Sequence, residues 1–254
     1  MRPPSGSARR TDSLQPGDVF EVPPKMIIAF SGTDGAGKST QITRLAEVLD
    51  ASGRQTRVVW FRPGYSSDVE AVKRGWRRLR GGRALKAGPS AERSRILSRP
   101  GVKRAWLAMA LVDTWIQCAV KLRFWSISGE IVLCDRYLRD AELDLELEFP
   151  DLVLEQWLPW RLLRAMCPKP DVRLLLLLPS EEAQRRCELK QEPFPPSPEA
   201  RQLREQAYQD LASHVDWTAL DANQSLDDVH RRIIEAVENS TDLKIETESP
   251  QLSG

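Results

Sequence analysis

One loop carries the clearest chemistry in the sequence. Residues 32–39 read Gly-Thr-Asp-Gly-Ala-Gly-Lys-Ser and fit the phosphate-binding pattern G-x-x-x-x-G-K-[ST]. The glycines let backbone amides approach phosphate oxygens because no Cβ atom intervenes. Lys38 is expected to reach the outer phosphates of ATP, and Ser39 to ligate Mg²⁺. The residues predicted to contact the nucleotide are Gly32, Asp34, Gly35, Ala36, Gly37, Lys38, Ser39 and Thr40.

An acid followed by an arginine marks the end of a second apolar run. Residues 130–137 read Glu-Ile-Val-Leu-Cys-Asp-Arg-Tyr, so Asp135 lies where a buried strand is predicted to stop. In proteins with a phosphate-binding loop, an acid at this position organises Mg²⁺ directly or through water. Arg136 follows at once and has the fork of donors that holds a phosphate bidentately. Both residues are predicted to be catalytic, although a surface ion pair after a strand would have the same sequence.

The segments around these residues alternate between two patterns. Five near-continuous apolar runs indicate parallel strands covered on both faces, and apolar residues at helical spacing fill the intervals. This alternation predicts an α/β P-loop NTPase fold, with a five-stranded parallel sheet, helices on both faces and a short lid. Ligands of such sheets bind at the carboxyl ends of the strands. The predicted strands are 26–31, 57–61, 130–134, 172–178 and 217–220.

Composition favours one globular domain between two loose ends. The chain has 254 residues, 41% hydrophobic content and a net charge of +1, which argues against nucleic acid as a partner. Residues 1–24 lack the apolar core of a secretory signal; they and 239–254 are predicted to be disordered tails around a domain at 25–238. The four cysteines form no C-x-x-C pair, which favours reduced thiols and a cytoplasmic location. The apolar stretch 105–120 is judged too short and too interrupted to span a membrane.

Four features leave more than one interpretation open. The insert 73–104 has twelve basic residues and one acid, which indicates a solvated face or a surface that attracts an anionic substrate, partner or membrane. Asp113 lies among apolar neighbours of a predicted helix, so it belongs to a site or faces outward. Residues 140–151 alternate acids with apolar residues, which permits an edge strand, a helix or a substrate-side loop. The proline-rich end of 185–200 suits a mobile lid or a rigid connector.

Four segments together resemble the thymidylate kinases, a family of P-loop nucleoside-monophosphate kinases. Residues 30–41 are similar to the family's loop, and Asp135-Arg136-Tyr137 matches its Asp-Arg-Tyr/Phe motif. Residues 169–186 resemble its fourth strand and lid helix, and 220–229 resemble its last strand and the turn beside the adenine. The resemblance extends from residue 26 to about 237, and it is far more specific than the loop alone.

The resemblance implies roles for individual residues. In that family the acid of the loop contacts the acceptor's sugar, and Asp34 occupies its position. The arginine of the Asp-Arg-Tyr motif contacts the acceptor's phosphate, and Arg136 occupies that place. Lid arginines reach the transferred phosphoryl group, which makes Arg185 and Arg186 catalytic candidates. The resemblance also implies ATP and Mg²⁺ as cofactors and a homodimer.

The chain departs from the family where the acceptor base is read. The family's Arg-Glu-Pro-Gly after the second strand is Phe-Arg-Pro-Gly at 61–64, and its Asp-Arg on the central helix is Asp113-Thr114. A Ser and an Ala-Tyr-Gln after the Asp-Arg-Tyr motif become Asp140 and Leu143-Asp144-Leu145. Loss of one hydrogen-bond partner can change an enzyme's discrimination between substrates by orders of magnitude. The donor side therefore keeps the family's pattern, and the acceptor side does not.

These observations predict a kinase that transfers the γ-phosphate of ATP to a nucleoside monophosphate, dTMP being the family's acceptor. Arg62 is expected to help Arg136 hold an anionic acceptor. Two alternatives stay open. The altered acceptor side and the basic insert fit a different small acceptor, such as a sugar or glycan intermediate. A nucleotide-binding protein without turnover would also keep the loop, but it has no need of Asp135 or of the lid arginines.

Overall fold

The apolar run before the phosphate-binding loop forms the middle strand of a parallel sheet. The computed structural model describes residues 26–64, 100–189 and 198–245. The predicted tail 1–24, most of the basic insert and the middle of the lid lie outside these ranges. Within them the elements are β1 (Met26–Gly32), α1 (Lys38–Ala51), β2 (Thr56–Trp60), α2 (Pro100–Trp115), α3 (Arg123–Ile127), β3 (Ile131–Asp135), α4 (Leu138–Glu148), α5 (Leu158–Met166), β4 (Val172–Leu177), α6 (Ser180–Leu189), α7 (Pro198–Ala212), β5 (Thr218–Asp221) and α8 (Leu226–Ser240).

The five described strands form one sheet in the order β2-β3-β1-β4-β5, and every pairing is parallel. Each strand agrees with the predicted run to within one residue at either end. The fold class predicted from the alternation of patterns is thereby confirmed. Because β1 is central, its carboxyl end places the phosphate-binding loop between the ends of β3 and β4.

Side chains of β1 alternate between two apolar layers because successive residues of a strand point to opposite faces. Ile28 and Phe30 pack with α1 and α8, whereas Ile27 and Ala29 pack with the helices on the other face. Full burial of all five strands, which the apolar runs predicted, is wrong for the two edge strands, β2 and β5. In β2, Val58 is 53% exposed and Trp60 is 50% exposed; in β5, Ala219 and Asp221 are exposed while Leu220 is buried. An edge strand has a neighbouring strand on one side alone, and its composition does not reveal that position.

The apolar stretch around Asp113 is part of a helix of 27 residues, Gly101–Ile127, which is longer than the stretch judged from the sequence. It joins α2 to α3 through a π-helical segment, Ile116–Leu122. Among the described residues it is the one helix whose length and mean hydropathy of 1.2 would suffice for a membrane span. Leu107 and Cys118, however, pack into the core beside the sheet, and Asp113 is buried. Those contacts are characteristic of a core helix.

The acidic segment after β3 is a helix, so the edge strand permitted by its period of two is wrong. Helix α4 covers Leu138–Glu148. The Asp140 carboxylate accepts a 3.0 Å hydrogen bond from the backbone N–H of Tyr137 and so caps the first turn. Arginines pair with the other acids, as when Arg139 binds Glu142 at 2.7 Å. Capping and ion pairing therefore decide the structure of this segment.

The chain stays ordered beyond residue 238, where the sequence predicts a tail. Helix α8 continues to Ser240. Leu243 and Ile245 are buried in the layer formed with α1 and α8, and the N–H of Ile245 donates to Glu238 at 2.8 Å. The packed chain thus reaches at least residue 245, the last residue that the structure describes here.

Candidate active site

Close packing fixes the phosphate-binding loop against its neighbours. Gly32 has φ 133°, and a Cβ atom there would overlap the carbonyl oxygen of Leu176 on β4. Gly35 has φ 82°, and its Cβ would lie 3.1 Å from the carbonyl oxygen of Ala183 on α6. A side chain at position 32 is therefore excluded, whereas one at position 35 would be strained and would press on α6. The first glycine lets the loop leave the sheet, and the second lets α6 lie close to the loop.

Lys38 is buried beneath the loop and holds its backbone. Its Nζ donates to the carbonyl oxygens of Gly32 at 2.9 Å and of Thr33 at 2.8 Å. Burial, together with the nearby charge of Arg136, lowers the pKa of Lys38 to about 8, although Asp34 and other carboxylates oppose the shift. An ammonium has three donors, so one remains for a phosphate oxygen. The lysine is therefore attached to the loop and close to the group it is predicted to bind.

Ser39 and Asp135 meet although 96 positions separate them in sequence. Ser39 Oγ, in the first turn of α1, donates to Asp135 Oδ2 at the end of β3 over 3.0 Å. Among the described residues, no group of three or more His, Cys, Asp or Glu residues could hold a metal ion. Mg²⁺, however, is commonly held by one or two protein oxygens together with substrate phosphates and water. A hydroxyl and a carboxylate in contact have the donor chemistry for such a site.

Arg136 has an unusual backbone that turns its side chain toward the loop. It is the one described non-glycine residue with positive φ, at 72°, a conformation that costs an L-residue about 1–2 kcal/mol. Its N–H bonds the carbonyl oxygen of Phe30 at 2.8 Å. The guanidinium then crosses the end of β1 and binds the Asp34 carboxylate. Strain of this kind is concentrated at functional sites.

Positive charges surround Asp34. Burial alone would raise its pKa, but Arg136, Lys38 and Arg204 lower that pKa to about 2. The carboxylate is therefore ionised at any physiological pH and can accept hydrogen bonds from a ligand hydroxyl or stay paired with Arg136. Its place in the loop, paired with Arg136 directly after β3, is compatible with the predicted contact with an acceptor.

A buried carboxylate, Asp140, connects several elements beside Arg136. Asp140 Oδ1 accepts a 2.7 Å bond from the hydroxyl of Tyr208 on α7, and Oδ2 accepts from Ser31 on β1. Arg136 Nη1 lies 3.7 Å away. Asp140 thus joins β1, α4 and α7. Where the related family has a serine, this chain has a charged residue with a structural task that the sequence did not reveal.

Asp144 is bound by two arginines from opposite sides. Arg204 on α7 binds its Oδ1 through Nη2, and Arg62, in the turn after β2, lies 3.4 Å from its Oδ2. Sequence reasoning missed Arg204. The residue belongs to no motif, and nothing in the helical pattern of α7 distinguishes it from Arg201; only the fold brings it to the strand ends.

Asp113 supports the turn after β2 from within the core. Its Oδ2 accepts a 2.8 Å bond from the N–H of Gly64, and its Oδ1 accepts a 3.1 Å bond from Gln117. The side chain is buried, so the outward orientation considered from the sequence is wrong. The carboxylate fixes the backbone of residues 61–64 and, through it, the position of Arg62.

The two lid arginines have unequal surroundings. Both bind Glu182 on their own helix, Arg185 at 2.6 Å and Arg186 at 2.7 Å. Arg185 exposes 62% of its side chain. Arg186 lies beside Gly35, and its Nη1 donates to the carbonyl oxygen of Ala222 at 3.4 Å. Of the two, Arg186 is therefore the one whose Cβ lies beside Gly35 of the phosphate-binding loop.

The structure brings together most residues predicted from the two motifs. Asp34, Lys38, Ser39, Asp135 and Arg136 converge at the ends of β1 and β3 through the bonds described above. Within the loop, Ala36 is buried and its N–H bonds the carbonyl oxygen of Thr33 at 3.3 Å. The other nucleotide-binding candidates frame this group: Gly37 precedes α1 in a left-handed conformation, and Thr40 is exposed in the first turn of the helix.

The chain is similar to several curated thymidylate kinases. The protein of Xanthomonas euvesicatoria pv. vesicatoria is 34% identical over 164 residues, which cover 62% of this chain and 58% of that protein. The protein of Bifidobacterium longum strain NCC 2705 is 28% identical over 207 residues, 80% of this chain and 93% of that protein. The protein of Desulfotalea psychrophila is 28% identical over 165 residues, 64% and 68% of the two chains. No family model matches the chain.

Proposed function

Since the chain is a relative of the thymidylate kinases, we propose that it transfers the γ-phosphate of ATP to a nucleoside monophosphate, with dTMP as the first candidate. The observation that carries the proposal is the meeting of the two motifs. Ser39 bonds Asp135, and Asp34 binds Arg136, the residue next to Asp135. This adjacency supports a triphosphate side and an acceptor side that lie next to each other.

On the donor side, the loop amides and the start of α1 supply partial positive charge to phosphate oxygens. Lys38 adds a full charge from beneath the loop. Ser39 and Asp135 would hold Mg²⁺, which, when bound, neutralises charge on the β- and γ-phosphates. These residues position the γ-phosphate at the end of β1, facing Asp34 and Arg136.

On the acceptor side, Arg136 would hold the phosphate that attacks, with Arg62 nearby. The left-handed backbone of Arg136 and its bond to Asp34 fix the position of the guanidinium before a ligand binds. Phosphoryl transfer needs alignment and charge neutralisation rather than covalent help from the protein. Arg186, whose Cβ lies beside Gly35, is the better placed lid residue to approach the transferred group.

We also propose the extent of the domain, the cellular location and the oligomeric state. The functional domain begins at residue 25, and the packing of Leu243 and Ile245 supports an end beyond 238. The location is cytoplasmic.

The chain forms a homodimer, and an apolar stripe along the 101–127 helix supports this proposal. A light-scattering mass equal to the 28.8 kDa of one chain would contradict it. The exposed residues of the stripe are Val112, Trp115, Ile116, Val120, Phe124 and Ile127.

A second candidate acceptor is favoured by the charged side chains around Asp144. Asp144 lies in the segment that resembles the family's Ala-Tyr-Gln, and it forms ion pairs with Arg62 and Arg204. Carboxylates and guanidiniums suit a hydroxyl-rich ring as well as a base. A phosphorylated sugar or glycan intermediate is therefore the alternative acceptor.

The test is release of ADP from MgATP with purified protein. Each reaction contains one acceptor: dTMP, dUMP, CMP, glucose 1-phosphate or mannose 1-phosphate. Acceptor-dependent release with dTMP supports the first proposal, and release with the sugar phosphates alone supports the second. ATP binding by calorimetry without release in any reaction would contradict both and support a binding protein without turnover.

A further inference from the structure

Helix α7 directs a buried arginine to the acceptor side. Arg204 exposes 15% of its side chain and binds Asp144 through Nη2. Its Nε is also buried, yet no hydrogen-bond partner for this atom occurs among the residues that the structure describes. A buried N–H without a partner is costly. The Asp144 bond alone therefore does not account for the position of this guanidinium.

Arg136 shows the same incomplete bonding. Its Nη2 binds Asp34, but Nη1 is buried and lacks a hydrogen-bond partner in the described parts of the chain. One carboxylate oxygen, Asp140 Oδ1, lies 3.7 Å away and already accepts a hydrogen bond from Tyr208. Tyr208 lies one turn after Arg204 on α7, so Asp140 connects Arg136 with the helix that carries Arg204. Each of the two arginines thus has one buried nitrogen without a partner in the described residues.

The two guanidiniums lie in one electrostatic neighbourhood. Burial and the nearby charge of Arg136 lower the pKa of Arg204, whereas the carboxylates Asp144 and Asp34 raise it. The net result is a pKa above the usual value for arginine. Arg136 and Arg204 therefore repel each other directly while sharing Asp34 as a neighbour. An anion bound between them would relieve the repulsion and supply acceptors to both unpartnered nitrogens.

We propose that Arg204 is a second phosphate-binding arginine of the acceptor site, whose Nε acts with Nη1 of Arg136 on the phosphate of a phosphomonoester acceptor. The inference rests on the proposed function, since it specifies the group that this site recognises. It also assigns to α7, the helix that follows the lid, a direct part in acceptor binding. A free nucleoside or sugar without a phosphate would gain nothing from Arg204.

A purely structural role for Arg204 makes a different prediction. If the side chain serves only to pair Asp144, its loss leaves a buried carboxylate with Arg62 as the described partner, and a second change that removes that charge should restore binding. If Arg204 binds the phosphate, restoring the charge balance should not restore affinity. The double variant Arg204→Gln/Asp144→Asn therefore separates the two roles.

The experiment is isothermal calorimetry on the full chain with saturating MgADP, which occupies the donor side. The probes are dTMP with thymidine as its control, and glucose 1-phosphate with glucose as its control. We expect at least one phosphomonoester to bind the natural protein. Arg204→Gln should raise its Kd at least tenfold, Arg204→Lys should raise it less, and the double variant should stay as weak as Arg204→Gln. Arg231→Gln, an exposed arginine on α8, is the matched control and should leave Kd unchanged.

Three results would overturn the inference: an unchanged Kd in Arg204→Gln, full recovery in the double variant, or no binding of either phosphomonoester to the natural protein. The proposed function is tested separately by ADP release. If phosphomonoester binding depends on Arg204 but no acceptor releases ADP, the phosphotransferase proposal fails while this inference stands. If an acceptor releases ADP and Arg204→Gln binds it normally, the reverse holds.

Discussion

The donor and acceptor sides of the candidate site are built in different ways. The donor side uses backbone amides and side chains of one loop, with Asp135 as the main addition from elsewhere. The acceptor side collects charged side chains from separate parts of the chain: Arg62, Asp113, Arg136, Asp144 and Arg204. A loop that binds through its own amides depends little on other segments. An acceptor side assembled in pieces can change its ligand while the phosphate chemistry stays the same.

The largest effect is expected on the donor side, where Lys38→Ala should lower ADP release at least about 1,000-fold with every acceptor, as loss of a preorganised charge at a reacting oxyanion does. The exposed Lys169 provides a control, and Lys169→Ala should keep full activity. Steady-state assays with two acceptors check the generality of the loss. Turnover within tenfold of the natural protein would show that the loop is not the donor site.

The two predicted lid arginines, Arg185 and Arg186, test the region between the donor and acceptor sides. The Cβ of Arg186 lies beside Gly35 of the phosphate-binding loop, whereas Arg185 is mostly exposed. Arg186→Ala is therefore expected to lower kcat by about 100- to 1,000-fold, the range for a single transition-state donor. Arg185→Ala should change kcat less than about threefold because exposed ion pairs contribute little. The opposite ranking in single-turnover measurements would assign the lid role to Arg185.

The pH dependence of ATP binding tests the role of Lys38 on the donor side without removing its side chain. Protonated Lys38 is the form that binds phosphate, and its pKa in the folded chain is about 8. Affinity for ATP should therefore fall above pH 8, by up to about tenfold for each further pH unit. Lys38→Arg should remove this dependence because arginine stays charged. Calorimetric titrations between pH 7 and 9.5 measure both, and parallel curves for the two proteins would assign the fall to another group.

The same shift has the opposite sign for stability. Because the pKa of Lys38 is lowered on folding, the unfolded chain holds this proton over a wider range, up to its ordinary pKa of 10.5. The folded state therefore bears the cost of the buried charge below pH 8. That cost decreases as the pH rises from 8 to 10.5, so this group makes the fold more stable while ATP binding weakens.

The smallest effect is expected from the support of the acceptor side. Asp113→Ala should lower the free energy of unfolding by about 1–3 kcal/mol, because the N–H of Gly64 loses its buried acceptor. The acceptor KM should rise while ATP affinity stays constant, since Asp113 positions Arg62 and not the loop. Urea denaturation and acceptor titrations measure these changes. The exposed Asp242 is the control, and Asp242→Ala should change neither quantity. If Asp113→Ala weakened ATP binding as much as it raised the acceptor KM, the two sides would not be independent.

The parts that the sequence predicted are those encoded by neighbouring residues. The strands, the loop and the Asp135-Arg136 pair each depend on a few adjacent positions, and their positions in the fold follow from a parallel sheet. Arg204 and Asp113 could not be predicted, because their partners are 60 and 49 positions away. Helix α4 fell between these cases. Its alternating acids imitate a strand, whereas the cap at Asp140 and ion pairs with arginines of the same helix and of other elements stabilise the helix.

The backbone and the side chain of Arg136 favour different residues at that position. Glycine would adopt the left-handed conformation without the steric cost of about 1–2 kcal/mol. It would also remove the guanidinium that joins the end of β3 to Asp34, and loss of the partner of a largely buried carboxylate costs more than the strain that glycine relieves. Replacement of Arg136 with glycine should therefore stabilise the fold only when Asp34 is changed to asparagine as well. Thermal unfolding of the single and double variants would measure how much backbone strain the ion pair holds in place.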